Sequence, residues 1–224
     1  MCGRYQLKSE PSALQLFLGG FYLSQHQPRF NIAPTQRAPI LRLESEKLVC
    51  RDLRFGLIPS WSQSPPEKPL VNARSESVFE KPSFRGSMQF QRCLVPATGF
   101  YEWEKGSGGK SPFLVRRPNE PIFFFAAIWA SWQAPGQKVE SFAILTRTAG
   151  PRLSAIHHRV PITVDAEFRD EWLSPHTSKY AIEAYLGKVD EDQWLPEPVS
   201  QRVNSVRHDD PECELPRAVQ QSLF

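Results

Sequence analysis

The chain has 224 residues, with 27 Lys and Arg against 24 Asp and Glu and a formal net charge of +3. A charge this close to balance excludes a polybasic tail or a histone-like protein, while leaving room for a basic groove on one face. Apolar residues make up 40%, with 15 Phe and 6 Trp, which is enough to bury a core and excludes wholesale disorder. Twenty-one prolines against 12 glycines imply short elements separated by rigid loops. No apolar run approaches the roughly 18 residues that cross a bilayer. The opening MCGRYQLKSE lacks the apolar stretch of a secretory signal. A cytoplasmic chain is therefore expected, in a reducing compartment where disulfides do not form.

In chain order, Ser9-Glu10-Pro11-Ser12 predicts a helix start, continued by Ala13 to Leu18 and stopped by Gly19-Gly20. Pro39–Leu43 and Leu48–Phe55 bracket a polar Glu44-Ser45-Glu46-Lys47 turn, a hairpin pattern. A Pro-rich loop runs from Pro59 to Pro69. Leu94–Glu104, Phe113–Arg117, Ile122–Ala130 and Glu140–Thr146 then read as successive strands of an antiparallel meander. Their connectors are turn-like: Gly106 to Gly109, Pro118 to Pro121 and Ala134 to Gly136. Phe123–Ile128 lacks alternation and predicts a central strand covered on both faces. Asp165 predicts an N-cap, with Phe168 and Trp172 four apart on one helix face. Ser178 caps a helix to Leu186 that Gly187 ends, and the tail from Glu197 reads as extended. No repeat, low-complexity tract or linker interrupts the chain. The predicted fold is α+β: a single domain, 1–224, of antiparallel β-sheets in a barrel-like core flanked by short helices.

The five histidines lie in no metal-binding spacing, and there is no phosphate-binding glycine loop and no G-x-S-x-G elbow. Neither a metal nor another cofactor is expected. Cys50, Cys93 and Cys213 read as small buried hydrophobes. Five blocks set polar residues in apolar or strand-like surroundings: Met1-Cys2-Gly3-Arg4, Arg29-Phe30-Asn31-Ile32-Ala33-Pro34, Val71-Asn72-Ala73-Arg74-Ser75-Glu76, Gly99-Phe100-Tyr101-Glu102-Trp103 and Ile156-His157-His158-Arg159-Val160-Pro161. In this order, with Cys directly after the initiator Met, they resemble the SRAP (SOS response-associated peptidase) family. The likeness runs from residue 1 to about Pro211 and includes Val203-Asn204. It implies autocatalytic removal of Met1, then covalent capture of abasic sites in single-stranded DNA as a shielding DNA-protein cross-link, by a monomer associated with the nucleoid when on DNA.

The residues suit that chemistry. Without Met1, Cys2 carries a free α-amine beside its thiol, with ordinary pKa values near roughly 8 and 8.5. A 1,2-aminothiol condenses with an aldehyde to an imine, which the thiol closes to a thiazolidine, and a ring-opened abasic deoxyribose supplies such an aldehyde. An internal cysteine cannot do this because its nitrogen is an amide. Glu102, among Phe100, Tyr101 and Trp103, suits proton shuttling if buried, although alternation alone would equally let it face solvent beside Glu104. The resemblance puts the catalytic Glu at Glu102 and the catalytic His at His157, which would protonate the sugar O4′. The family pattern usually reads His-Asp-Arg there, so His158 replaces an acidic residue. Asn72 would hold the amine or polarise the developing hydroxyl. The resemblance further implies phosphate contacts by Arg4, Arg74 and Arg159. Phe55 and Trp61 are candidates to stack on a base, with core packing an equal reading. Two other functions compete: a thiol peptidase using Cys2 or Cys93 with His157, and a non-covalent single-strand binding module.

Overall fold

The computed structural model describes residues 2–9, 27–106, 109–188 and 194–217. The predicted helix from Ser9 to Gly20 lies, apart from Ser9, outside the described residues, as does the middle of the Gly106–Gly109 turn.

Two sheets organise the fold. One holds β1 (Arg4–Leu7), β2 (Arg29–Ile32), β7 (Gly99–Gly106), β8 (Gly109–Arg116) and β12 (Leu195–Pro198), in the order β12-β8-β7-β1-β2. The other contains β3 (Arg37–Glu44), β4 (Lys47–Phe55), β6 (Arg92–Ala97), β9 (Phe123–Ala134) and β10 (Gln137–Thr148). In it β4 pairs β3, β3 pairs β6, β6 pairs β9, β9 pairs β10, and β10 returns to β4. Those five strands close a barrel, which removes free edges. Two short strands extend β10: β5 (Asn72–Arg74), parallel to it, and β11 (Arg159–Pro161), antiparallel.

The predicted hairpin is β3–β4. Its two-residue turn, Ser45 and Glu46, has φ of 49° and 63° at the two positions, the left-handed geometry whose twist matches a tight hairpin. The segment Leu94–Glu104 is not one strand. It breaks at Thr98, whose N–H donates to the Gln6 carbonyl at 2.9 Å, and the chain passes from barrel to second sheet. Gly99 makes the crossing possible, because a Cβ there would lie 2.8 Å from Leu114 Cδ1. The chain therefore leaves the barrel after β6, forms β7 and β8 in the second sheet and returns for β9 and β10, so the expected meander is split. Phe123–Ile128 is buried throughout, between β6 and β10, as its unbroken apolarity implies.

Four α-helices among the described residues cover the outside: α1 (Arg85–Phe90), α2 (Pro151–Ser154), α3 (Arg169–Leu173) and α4 (Lys179–Leu186). Ser178 Oγ accepts the Ala181 N–H at 3.2 Å, as the capping pattern predicts. Asp165 instead starts a 3-10 turn without a side-chain cap bond. Trp172 of α3 is fully buried and donates its indole N–H to the Cys93 carbonyl at 2.9 Å. The tail is extended only through β12. Two 3-10 turns follow, Gln201–Asn204 and Pro211–Glu214, capped by Ser200 and Asp210. Cys93 and Cys213 are buried, Cys50 is half-buried, and all four cysteines are free. No helix among the described residues is long and apolar enough to cross a membrane.

Candidate functional site

The pairing of β1 with β7 sets Arg4 opposite Tyr101 and Tyr5 opposite Phe100. Carried back along β1, this antiparallel register runs the start of the chain alongside Glu102. Cys2 there is fully buried, its Sγ 3.8 Å from the Arg4 carbonyl. Burial and the nearby Glu102 charge push its thiol far above the ordinary range. The Cys2 carbonyl accepts a hydrogen bond from Asn72 Nδ2 at 3.1 Å. Asn72 opens β5, which lies on β10 with Asn72 opposite Ile144. Its other amide atom, Oδ1, is buried with no hydrogen-bond partner among the described residues. It is an acceptor held ready beside the chain's first residues.

Glu102 is 5% exposed, and burial raises its carboxyl pKa above the ordinary value. That settles which way the strand faces: inward. Its Oε1 lies 3.9 Å from His157 Nδ1. The same Nδ1 faces the Arg159 N–H at 3.0 Å and the Arg159 carbonyl at 3.3 Å, a donor and an acceptor, so either tautomer of the neutral ring finds a partner there. His158 is exposed and its ring centroid sits 4.3 Å from that of His157. Its pKa is lowered, first by the charge of His157 and then by desolvation. Two imidazoles this close disfavour double protonation. The structure thus gathers Cys2, Asn72, Glu102 and His157 from four separate segments.

The other predicted residues divide. Arg74 is exposed, and its side chain makes no hydrogen bond or ion pair with any described residue. Trp61 is 65% exposed, with its indole N–H fixed on the Pro82 carbonyl at 3.2 Å. Phe55 corrects the stacking expectation: it is fully buried and stacked on Phe142, centroids 5.1 Å apart, with no face to offer a base. Arg159 is likewise no surface cation. It is 7% exposed and bonds both oxygens of Glu76, at 2.7 and 2.9 Å, and the Thr146 carbonyl at 2.5 Å. Arg4 is half-buried; its Nη1 donates to Asn31 Oδ1 at 2.8 Å and the Val203 carbonyl at 2.9 Å. Cys93, the alternative nucleophile, is fully buried on β6, and burial pushes its thiol up.

Two residues of the five sequence blocks, to which the sequence assigns no individual role, are central to the site's framework. Glu76 closes the Arg159 pair, and nothing in its local pattern signals this. Asn31 is fully buried and gives its Nδ2 to the carbonyls of Val203, Ser205 and His208 at 3.2, 3.0 and 2.7 Å. Its signal is an amide between Phe30 and Ile32 in an apolar strand. Trp103, next to Glu102, donates to Asn204 Oδ1 at 2.7 Å. The turn at 203–204 therefore ties down both the strand that follows Cys2 and the strand bearing Glu102. Among the described residues no three His, Cys, Asp or Glu converge as a metal site.

A closed barrel whose second sheet brings residue 2 to a buried Glu, a His and an Asn defines the class. Residues 1–206 match the family model for SOS response associated peptidase (SRAP), and the chain belongs to that family. It is 32% identical over 221 residues to the abasic site processing protein YoqW of Bacillus subtilis (strain 168), covering 95% of this chain and 98% of that protein. It is 31% identical over 224 residues to the abasic site processing protein YedK of Escherichia coli (strain K12), covering 96% and 100%. A crystal structure of a Bacteroides thetaiotaomicron protein superposes with a TM-score of 0.84 at 27% identity, over 96% of this chain and all of that one.

Proposed function

We propose that this protein processes abasic sites in single-stranded DNA by capturing them covalently on Cys2 once Met1 has been removed. The observation that carries the reading is the meeting of Cys2 with Asn72, Glu102 and His157 around the start of the chain. The bonds balance simply. The Cys2 amine adds to C1′ of the ring-opened sugar, and the carbinolamine loses water to give an imine. The thiol sulfur then adds to the same carbon and its proton passes to nitrogen, closing the thiazolidine. A thiol whose pKa burial raises enters as S–H and needs a proton acceptor. Glu102, its own pKa raised by burial, is suited to take that proton and return it. His157 assists ring opening as the proton donor to O4′, and the unpartnered Asn72 Oδ1 would accept a hydrogen bond from the freed amine. Removal of Met1 by the same Glu102 acting on the first peptide bond is part of this reading.

The test is incubation with a single-stranded oligonucleotide bearing one abasic site, followed by a denaturing gel. The expected result is a shifted band that an undamaged oligonucleotide does not give and that Cys2→Ala abolishes. No shifted band with the Met1-free protein, or an undiminished band in Cys2→Ala, overturns the proposal.

A further inference from the structure

A cavity of about 400 Å³ lies away from Cys2, between α1 and the turn that leads into α4. Its lining carries three cations, Arg85, Arg92 and Lys179, two aromatics, Phe79 and Phe90, and no carboxylate. Arg92 is 5% exposed. It donates to four carbonyls: Nε to Trp172 at 2.6 Å, Nη1 to Met88 at 2.8 Å and Gln89 at 3.0 Å, and Nη2 to Ser174. Desolvation lowers its pKa to about 10, so it remains charged at neutral pH. Every partner is neutral, and no carboxylate among the described residues pairs with it. A buried charge without a counter-ion is costly, and here it projects a positive potential into the cavity. Arg85, at the rim, is exposed, and its side chain makes no hydrogen bond or ion pair with any described residue. Lys179 lies 5.1 Å from the Phe79 ring centroid, and among the described residues its side chain is otherwise engaged only by the exposed Glu183 at 3.4 Å, a weak pairing that an anion can displace. Phe90 is 64% exposed. Carboxylate-free cationic lining beside an exposed aromatic ring is the chemistry of a nucleotide: a phosphate for the cations and a planar base for the ring.

The place of the cavity says which nucleotide. The segment that lines it begins at Phe79, directly beyond β5, where Asn72 holds Cys2 and Arg74 stands free. Trp61 is fastened to Pro82 on the same segment. Arg74, Trp61, Arg85 and Phe90 are all exposed, and all four belong to, or are fastened to, the one segment that runs on from the Asn72 strand to the cavity. We propose that this cavity binds a nucleotide that flanks the captured one on the same DNA strand, its phosphate held by Arg85 and Lys179 and its base stacked on Phe90. The inference deepens the capture reading and rests on it.

The experiment measures fluorescence polarisation with undamaged oligothymidylates of about 4 and about 12 nucleotides, bracketing the footprint of small single-strand sites. Arg85→Glu should weaken binding of the longer strand roughly tenfold and flatten its salt dependence by about one counter-ion. Phe90→Ala should weaken it by a similar factor with an unchanged salt slope. Neither should alter binding of the shorter strand, nor the rate of adduct formation with an abasic site in that shorter strand. If both variants bind the longer strand like the unaltered protein, the subsite is refuted. If thymidine monophosphate competes at the cavity as well as the longer strand does, the occupant is a free nucleotide and the strand assignment is overturned. Absence of any adduct with the unaltered protein would strike the capture reading, whereas the polarisation arm uses undamaged DNA and judges the cavity separately.

Discussion

Substituting Glu76 with Gln probes how His157, the proposed proton donor, is held. Arg159 is nearly buried and forms two parallel bonds to Glu76, at 2.7 and 2.9 Å. Gln retains one acceptor oxygen and loses the charge. One charge-assisted bond in a dry setting contributes about 1.5–3 kcal/mol. The Glu76 side chain is 52% exposed, so water and salt reduce the expected loss to about 1–2 kcal/mol. With a urea slope of about 2 kcal/mol/M, that moves the denaturation midpoint down by about 0.5–1 M at pH 7. The pH dependence has a definite sign. The Arg159 hydrogen bond holds the Glu76 carboxyl below its ordinary value. Its stabilisation is therefore complete above the unfolded value, about 4.3, and disappears as pH falls through the lower folded value. The gap between Glu76→Gln and the unaltered protein should accordingly shrink below about pH 4. Because the Arg159 N–H also fixes His157 Nδ1 at 3.0 Å, adduct formation should slow in step with the loss at neutral pH. An unchanged midpoint at pH 7 would refute the reasoning, and so would a gap that persists undiminished into acid.

Glu102→Gln should cut the rate of adduct formation by about 10²-fold or more. It should also stabilise the fold at neutral pH. Burial raises the folded pKa of Glu102, so the unaltered protein loses stability as pH rises from the unfolded value through the folded one, and Gln does not. Urea midpoints that coincide at pH 8 count against a buried carboxylate. Asn31→Ala strands the carbonyls of Val203, Ser205 and His208 and one side of Arg4, and should cost about 3 kcal/mol; a thermal midpoint within a degree or two of the unaltered protein contradicts the clasp. Trp61→Ala removes an exposed ring and should leave stability within about 0.5 kcal/mol. It should weaken single-stranded DNA binding by about 1–3 kcal/mol without changing the salt slope, and undiminished affinity in a polarisation assay removes Trp61 from the interface.

The sequence discloses what depends on position and local pattern. Cys2 is singled out by standing next to the chain start, the β3–β4 hairpin by its polar turn, and α4 by Ser178 and Gly187. What pattern cannot disclose is which sheet a strand joins. β10 alone pairs with β9, β4, β5 and β11, and no local rule foresees one strand with four partners. The split at Thr98 escapes notice for the same reason: Leu94–Glu104 is apolar enough to be one strand, and the demand for Gly99 comes from Leu114 across the sheet. Glu102 shows the limit most clearly. Alternation allows either face, and the choice is made by the register of β1 against β7. Phe55 and Arg159 are both buried: of the two readings open for Phe55, base stacking and core packing, the barrel takes the second, while Arg159, expected at a phosphate, is bonded to both oxygens of Glu76.

These placements change what the net charge means. Arg42, Arg92, Arg117 and Arg159 are all at most 7% exposed, so four of the positive charges in the balance of +3 are not solvated surface charges at all. Counting residues therefore says little about the field a DNA strand meets; what matters is which cations lack partners. The side chains of Arg74 and Arg85 are exposed and unpaired among the described residues, and Arg92 shares the Arg85 cavity with carbonyls in place of a counter-ion. A near-neutral chain can present a locally positive track in this way while most of its arginines serve the fold. On the proposed chemistry a short track suffices. The strand needs holding only until the Cys2 amine and thiol have closed on the sugar, after which retention no longer depends on counter-ion release, and salt should slow capture while leaving the finished adduct untouched.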